Sequence, residues 1–400
     1  MSLSTDYALE NRERFIVNLM QQDFGRQVTS ISRLGRDSNN FVHLIQLSKS
    51  INQPTTPPPT VFKPGISSSL ASATKVVIRI SNPQALLNED VRVQNEVAAM
   101  CLARQALSTY GSRLIPHTYA WQSSEEGYGW ILQEYMEGVP LDKEMNGLNS
   151  DRKQDILHQI ANVFKLIQNF SLPESVKGYG GLTFNDSGEI VTGPTTIPCG
   201  GPFTEFHEIA NRWMASERSQ KSFGAVCSKW DQKVVIENSV ARQTLVHGDF
   251  NTFNMLFDPS SNLLTALLDF DLSHIATPAD EYFYSFRTLG ALLAGPFEPG
   301  DEGQLRQYLL YGNVPAQNGT KVDFEVAQMM DKEFVRAGVL RPADIPGAGE
   351  LAALKWFLED VSPPYFFMER WLEWKGREKV EEIKVGIEET LGGYLERWGF

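Results

Sequence analysis

The 400-residue sequence contains few cysteines and no long apolar stretch. Its three cysteines, Cys101, Cys199 and Cys227, lack the spacing of a metal site or a disulfide framework. No segment approaches the roughly 18 consecutive apolar residues that a membrane-spanning helix requires, and the first residues are polar. These absences predict a reducing, cytoplasmic environment and no membrane partner.

The sequence also lacks an excess of positive charge. It has 36 lysine and arginine residues against 49 aspartate and glutamate residues, for a formal net charge of −13. Proteins that mainly bind nucleic acid or anionic membranes are usually basic, so neither partner is expected. The balance mildly favours a neutral or cationic small molecule, although solubility alone accounts for it equally well. The length and the 42% hydrophobic content allow two lobes with buried cores.

Chemically useful residues are concentrated in the stretch LVHGDFNTFNML, which starts at residue 245. Its pattern predicts two short strands around a polar loop that contains His247, Asp249 and Asn254. Another apolar strand ends at Asp269, fifteen residues after Asn254, and the turn at 258–262 permits a hairpin. We therefore expect Asp249, Asn254 and Asp269 to lie close together.

This arrangement resembles the catalytic centre of kinase-fold phosphotransferases. The glycine between His247 and Asp249 makes it most similar to the aminoglycoside phosphotransferase and choline kinase branch, whose fungal and bacterial members form a broad phosphotransferase enzyme family. The resemblance implies that Asp249 orients the acceptor hydroxyl and takes its proton. It also implies that Asn254 and Asp269 bind Mg²⁺ through oxygen atoms, with ATP as the second cofactor.

His247 beside an acid also suggests a hydrolase, but the sequence contains no Gly-x-Ser-x-Gly nucleophile motif. We therefore assign His247 to hydrogen bonding within the loop, and a carboxylate base with a pKa near its ordinary value would suffice at Asp249.

The resemblance implies an α+β fold of the bilobal protein-kinase type. The small N-terminal lobe would contain an antiparallel sheet with helices, and the larger C-terminal lobe would be mostly helical. We place a nucleotide-binding lobe at 1–137 and a catalytic and substrate-binding lobe at 138–400. The Ser-, Thr- and Pro-rich segment at 48–74 is expected to be a flexible insertion. Asn149 or Ser150 is expected to cap a helix over 151–170, followed by helices near 203–217 and 225–243.

The same resemblance assigns the nucleotide-contacting residues. Ser38, Asn39 and Asn40 in the turn between the first two strands would lie near the phosphates, as would Arg79, with Glu96 orienting Arg79. Backbone groups of the interlobe segment would contact adenine, namely those of Glu134, Tyr135 and Met136. Two features depart from the family: there is no complete Gly-x-Gly-x-x-Gly loop, and Arg79 stands where the third-strand lysine is usual.

Two further expectations concern the C-terminal half. Asp280 is expected to cap a helix that begins near Glu281, and the later aspartate that the family commonly has is absent. The aromatic-rich segment beyond residue 300, with Glu359 and Asp360, could hold a substrate ammonium by cation–π contact, although such residues more often form helical core.

These observations predict an ATP- and Mg²⁺-dependent O-phosphotransferase acting on a hydroxyl of a small molecule. Aminoglycoside-like, amino-alcohol-like and metabolite-like acceptors, cationic ones among them, all fit, and the oligomeric state cannot be inferred. Two alternatives stay open: a nucleotide-binding pseudokinase or scaffold, and a kinase-fold enzyme that uses ATP to activate a carboxylate in secondary metabolism.

Overall fold

The structure, a computed structural model, describes residues 9–35, 38–48, 63–68, 70–124, 129–197, 200–227, 242–314 and 321–399. Most of the 48–74 insertion, Cys199 and residues 228–241 of a predicted helix lie outside these ranges. Within them, no helix is long and apolar enough to cross a membrane.

The strands come in chain order as β1 (Val28–Arg33), β2 (Asn40–Leu47), β3 (Lys75–Ser81), β4 (Thr118–Gln122), β5 (Trp130–Glu134), β6 (Val139–Pro140), β7 (Gly181–Phe184), β8 (Ile190–Gly193), β9 (Thr244–Val246), β10 (Met255–Asp258), β11 (Leu263–Leu267) and β12 (His274–Ala276). The α-helices are α1 (Leu9–Gln22), α2 (Glu89–Ala106), α3 (Leu141–Glu144), α4 (Ser150–Gln168), α5 (Phe206–Met214), α6 (Glu217–Cys227), α7 (Glu281–Tyr284), α8 (Gly300–Tyr311), α9 (Phe324–Ala337), α10 (Ala348–Val361), α11 (Glu369–Lys375) and α12 (Arg377–Arg397).

The N-terminal part is built on a five-stranded antiparallel sheet in the order β1-β2-β3-β5-β4. β3 is rich in β-branched residues, which suit a strand, and every residue after Lys75 is buried. Helix α1 covers one face of the sheet with Ile16 and Met20. Helix α2 covers the other face, where Val93 and Val97 contact strand residues. Both helices therefore fix β3, which carries Arg79.

The chain leaves this sheet at Glu134 and joins a second sheet almost at once. There β6 pairs with β10, and β10 pairs with β11, so Val139 lies opposite Phe257. A side chain at Gly138, whose φ is +142°, would collide with Thr265. Only glycine can make this close approach. The boundary between the two lobes at 137 and 138 remains a prediction.

The C-terminal part is mostly helical and is organised around α4. Asn149 caps this helix by accepting a hydrogen bond from the Arg152 N–H at 2.9 Å, as expected. On the apolar face of α4, the Phe164 ring packs against an aromatic group made of Phe250, Tyr282, Phe286 and Phe334. Truncation of Phe164 to alanine would cost about 3–5 kcal/mol of stability.

The predicted α+β architecture, with an antiparallel N-terminal sheet and a mostly helical C-terminal part, is confirmed, but two helices were wrongly bounded. α5 ends at Met214, and α6 begins at Glu217 where the sequence suggested a helix near 225. Ser216 and Ser219 explain the break, because the Ser216 hydroxyl accepts a bond from the Ser219 N–H at 3.3 Å. Such local side-chain bonds favour a new helix start over continuation.

Candidate active site

The loop at residues 247–254, which we call the catalytic loop after its predicted role, follows β9, which pairs with β12 in an antiparallel manner. Gly248 lies in the left-handed region with a φ of +82°, and a Cβ there would approach the Leu272 carbonyl oxygen to 2.6 Å. A non-glycine residue would need both an unfavourable backbone conformation and a displaced β12 segment. The glycine in the His-Gly-Asp motif thus has a packing reason.

Glu281, at the start of α7, holds the backbone of the catalytic loop. Its carboxylate accepts hydrogen bonds from the N–H of His247 at 2.7 Å and of Gly248 at 3.0 Å. The Ser285 hydroxyl donates to the same carboxylate and accepts from the Phe250 N–H at 2.7 Å. Burial raises the pKa of Glu281 to about 7, although these donors favour its ionised form.

The role of Glu281 was not predicted from the sequence, because capping of this helix was assigned to its neighbour Asp280. Asp280 does occupy the position before α7, but its side chain makes no capping bond to that helix. It accepts from the N–H and the hydroxyl of Thr277 instead. The capping prediction was therefore wrong. The signal that could have identified Glu281 is its place in the first turn of a helix whose other residues are apolar.

His247 joins the catalytic loop to the hairpin strand. Its Nδ1 accepts from the Asp249 N–H at 3.2 Å, so its proton lies on Nε2, which donates to the Leu268 carbonyl at 3.1 Å. Burial lowers the pKa of His247 to about 4, so the ring is neutral near pH 7. Hydrogen bonding within the loop is therefore what the ring does, as expected from the sequence.

Asp249 and Asn254 are in direct contact. The Asn254 amide donates to Asp249 Oδ2 at 2.8 Å and to its backbone carbonyl at 2.9 Å. Asn251 donates to Asp249 Oδ1 at 2.7 Å. Burial raises the pKa of Asp249, the two amide donors oppose this, and the charge of Asp269 adds to it. The pKa of Asp249 is therefore raised above its ordinary value.

Asp269 ends the hairpin in the left-handed region, with a φ of +69°. Arg79 donates to its Oδ1, and the Arg79 Nε lies 3.2 Å from a Glu96 carboxylate oxygen in an ion pair without hydrogen-bond alignment. Burial opposes ionisation of Asp269, but Arg79 outweighs it and lowers the pKa of Asp269. The structure thus places Glu96 beside Arg79 as predicted, and adds Asp269 as a partner that was not foreseen.

Hydrogen bonds to Asp271 and Arg92 hold the turn before β2 in position. The Asn40 amide donates to Asp271 at 3.2 Å, and Arg92 donates to Asn40 Oδ1 at 3.2 Å and to the Asn39 carbonyl at 2.7 Å. Burial, and then the charge of Asp269, raise the pKa of Asp271 to about 8. We call Arg79, Arg92, Glu96, Asp269 and Asp271 the charged cluster.

The other residues that were predicted to contact the nucleotide lie near the charged cluster or in the interlobe segment. The Ser38 carbonyl accepts from the Asn82 amide at 2.6 Å. The Glu134 side chain pairs with Arg113, and its N–H donates to the His117 carbonyl at 2.9 Å. The Glu134 N–H is therefore already paired, and contact of the Glu134, Tyr135 and Met136 backbone with adenine stays a prediction.

The side-chain oxygen atoms of Asn254 and Asp269 can be compared with the ligands that Mg²⁺ prefers. Among the described residues, no three His, Cys, Asp or Glu side chains form a metal site. Mg²⁺ in nucleotide sites usually takes one or two protein oxygens and completes its shell with phosphates and water. Asn254 Oδ1 and the carboxylate of Asp269 are oxygen ligands of this kind; the Asn254 amide nitrogen already donates to Asp249, and the Asp269 carboxylate already contacts Arg79 and Asp271.

The C-terminal aromatic region does not offer Glu359 to a substrate cation. Glu359 pairs with Lys355, whose ammonium lies 3.9 Å from the Tyr284 ring centroid and 5.4 Å from that of Trp213. The protein's own lysine therefore makes the cation–π contacts there. Trp356 bonds the Leu293 carbonyl at 2.9 Å, which is consistent with the core interpretation of this region.

Comparison with known proteins gives three findings. The family model described as "Phosphotransferase enzyme family" matches residues 69–312. A search of curated proteins finds no significant match. Solved structures of similar fold include ADP-bound aminoglycoside phosphotransferase APH(2'')-Ib, with 14% identity over 95% of this chain and 97% of that chain and a TM-score of 0.49.

They also include APH(2")-IIa with streptomycin and ATP, with 12% identity over 97% of both chains and a TM-score of 0.48. A third is a thermostable mutant of APH(4)-Ia with ADP and hygromycin B, with 13% identity over 92% of this chain and 97% of that chain and a TM-score of 0.43. The family model spans more than half of the sequence and includes the catalytic loop and the charged cluster. The chain belongs to the phosphotransferase enzyme family.

Proposed function

We propose that the protein is an ATP- and Mg²⁺-dependent O-phosphotransferase that phosphorylates a hydroxyl of a small molecule. The observation that carries this proposal is the direct bond from Asn254 to Asp249, with Asp269 close enough for its charge to raise the pKa of Asp249. Membership of the family supports a phosphotransferase of small molecules.

Asp249 is proposed to orient the acceptor hydroxyl and to take its proton. Both of its oxygens are fixed by amide donors, so the carboxylate keeps one orientation. Its raised pKa makes it a better proton acceptor than an exposed aspartate would be. A loose phosphoryl-transfer transition state asks little more of a base than orientation and late proton removal.

Asn254 and Asp269 are proposed to hold magnesium, which when bound neutralises charge on the phosphates. Arg79 is proposed to contact the α- and β-phosphates while Glu96 orients it. Arg79 pairs with both Asp269 and Glu96. Phosphate binding would therefore replace one of these carboxylates as a partner of Arg79. The backbone near Ser38, Asn39 and Asn40 would lie over the phosphates, and Tyr135 and Met136 would contact adenine.

The acceptor is proposed only as a hydroxyl-bearing small molecule. Aminoglycoside-like, amino-alcohol-like and metabolite-like acceptors remain candidates. For a cationic acceptor the available carboxyl is Asp360, whose pKa is raised to about 7 by burial and by Glu298 and Glu359. A carboxyl that is only partly ionised near pH 7 attracts a cation weakly, so a cationic acceptor has limited support.

The test is release of ADP by the purified full chain with ATP and Mg²⁺ in the presence of a panel of hydroxyl compounds. We expect ADP release that depends on both the acceptor and the metal, with a phosphorylated product seen by mass spectrometry. Release of ADP or AMP only when an acid and a nucleophile are both present would instead support carboxylate activation.

A nucleotide-binding pseudokinase is the second candidate, and the Arg79–Asp269 bond favours it. A guanidinium that already neutralises Asp269 competes with magnesium for the same carboxylate. This candidate predicts a thermal shift with ATP but no ADP release with any acceptor. Turnover above the rate of the Asp249→Ala variant would exclude it.

A further inference from the structure

An apolar cavity lies beside β12. The space that the centre of a water molecule can reach in this cavity is about 70 Å³. The cavity can therefore hold several groups of the size of a water molecule. Leu272 and Ser273 form one wall, and α5 and α10 form others. The Ser273 hydroxyl also donates to the His247 carbonyl at 2.9 Å, which joins this wall to the catalytic loop.

Most of the lining is hydrophobic, with Ile209, Ala210 and Leu354 among the side chains that face it. A few polar groups converge on the same space. Such a combination of apolar walls and a small number of polar groups is typical of small-molecule sites.

One of these polar groups lacks a partner. Thr196 lines the cavity and is only 3% exposed, and its hydroxyl makes no hydrogen bond among the described residues. A buried hydroxyl without a partner costs free energy, so a ligand that bonds it would recover that cost. His274 also lines the cavity; its Nδ1 donates to the Leu272 carbonyl at 2.9 Å, which leaves Nε2 as an acceptor.

The charges beside the cavity are already compensated. Lys355 pairs with Glu359, and Asp280 accepts two hydrogen bonds from Thr277. A cationic ligand would meet the Lys355 ammonium, and an anionic one would meet the Asp280 carboxyl. Neither would find an unpaired opposite charge in an apolar surrounding, where charge is costly.

We propose that this cavity binds a small, largely apolar, uncharged molecule that carries a hydroxyl or carbonyl group. That group bonds the Thr196 hydroxyl, and its hydrocarbon part contacts Ala210 and Leu354. The cavity thereby selects against polycations. The proposal concerns binding alone and does not depend on phosphotransfer.

The test compares three probes of one shape, namely benzyl alcohol, benzylamine and benzoate, by ligand-observed NMR titration of the full chain without nucleotide. Benzyl alcohol is uncharged near pH 7, whereas the other two carry opposite charges. We expect saturable binding of benzyl alcohol and weaker binding of both charged probes. Absence of saturable benzyl alcohol binding, or equal or tighter binding of either charged probe, overturns the proposal.

Three variants locate the binding. Ala210→Leu fills the cavity and is expected to abolish benzyl alcohol binding, with folding checked by thermal unfolding. Thr196→Val keeps the side-chain shape and is expected to weaken binding roughly threefold to tenfold. Thr192→Val is the matched control, because its hydroxyl is also buried without a partner but lies outside the cavity lining. Equal affinities in Thr196→Val and Thr192→Val overturn the assigned contact.

The result is separable from the proposed function, since ADP release is measured on a different sample. Binding of benzyl alcohol without ADP release would support the cavity proposal and contradict the proposed phosphotransferase activity. ADP release without binding of benzyl alcohol would support the phosphotransferase and contradict the cavity proposal.

Discussion

The catalytic loop and the charged cluster that lies beside it differ in how they are held together. Uncharged groups and one buried glutamate fix the loop, through bonds to its own backbone from Glu281, Ser285 and Ser273. The charged cluster is held by ionic side chains that contact one another, such as Arg79 between Glu96 and Asp269. In the proposed function the loop is therefore pre-organised, whereas the cluster would exchange ion pairs on binding phosphates.

The largest effect is expected from removal of the proposed base. Asp249→Ala should lower Mg²⁺-dependent ADP release by roughly 10²–10⁴-fold, because no other group would orient the hydroxyl. ATP binding should stay largely intact, since the charged cluster is untouched. Steady-state kinetics and isothermal titration with ATP check both halves. Asp258→Ala, in the exposed turn of the hairpin, is the control. Turnover in Asp249→Ala equal to that of wild type would remove the base assignment.

A smaller effect is expected from Glu281→Gln, which tests whether the loop depends on its backbone anchor. The amide retains one acceptor oxygen but places a donor where the His247 or Gly248 N–H needs an acceptor. We expect stability to fall by roughly 1–3 kcal/mol. We also expect kcat to fall more than the KM for ATP rises. If kcat were unchanged in a variant that has lost stability, Glu281 would be structural only.

These two predictions separate what the sequence reveals from what it does not. Asp249 and Asn254 could be placed together because five residues and a predicted turn separate them. Glu281 was missed because two buried acids adjoin at 280 and 281, and only the orientation of α7 decides which one contacts the backbone of the catalytic loop. The bond from Arg79 to Asp269 joins residues 190 positions apart, so no local pattern encodes it.

For the fold as well, local sequence patterns predict some elements and do not predict others. Strong helical periodicity located α4 to within two residues, since the predicted range is 151–170 and the helix is Ser150–Gln168. The break between α5 and α6 was predicted too late in the sequence, because its position depends on Ser216 bonding the Ser219 backbone and hydroxyl, and not on an apolar pattern.

Acid should weaken the loop because His247 is buried in its neutral form. Its pKa of about 4 lies below the ordinary 6.5, so the unfolded chain binds the proton more readily. Stability is present above pH 6.5 and is lost as the pH falls towards 4. At pH 5 the loss from this residue is about 2 kcal/mol.

Urea unfolding at pH 7 and pH 5 measures this dependence. His247→Gln should show a smaller difference between the two pH values than wild type, whereas His207→Gln, at an exposed position, should match wild type. An unchanged pH dependence in His247→Gln would contradict the buried neutral ring.

The smallest effect is expected from Arg79→Lys. A lysine can still pair with Glu96 and reach phosphate, but it releases Asp269 from the guanidinium. We expect ADP release to be retained or raised, and we expect Arg79→Met to lose ATP affinity. Complete loss of activity in Arg79→Lys would mean that the guanidinium has a role that a lysine in this position cannot fill.

The central claim is that Asn254 and Asp269 share one divalent cation with the nucleotide. Electron paramagnetic resonance of Mn²⁺, titrated into the protein with a non-hydrolysable ATP analogue, measures this without relying on turnover. We expect a nucleotide-dependent Mn²⁺ site in wild type and Asp258→Asn that is severely weakened in both Asn254→Ala and Asp269→Asn. Mn²⁺ affinity in Asp269→Asn equal to that of wild type would contradict the claim.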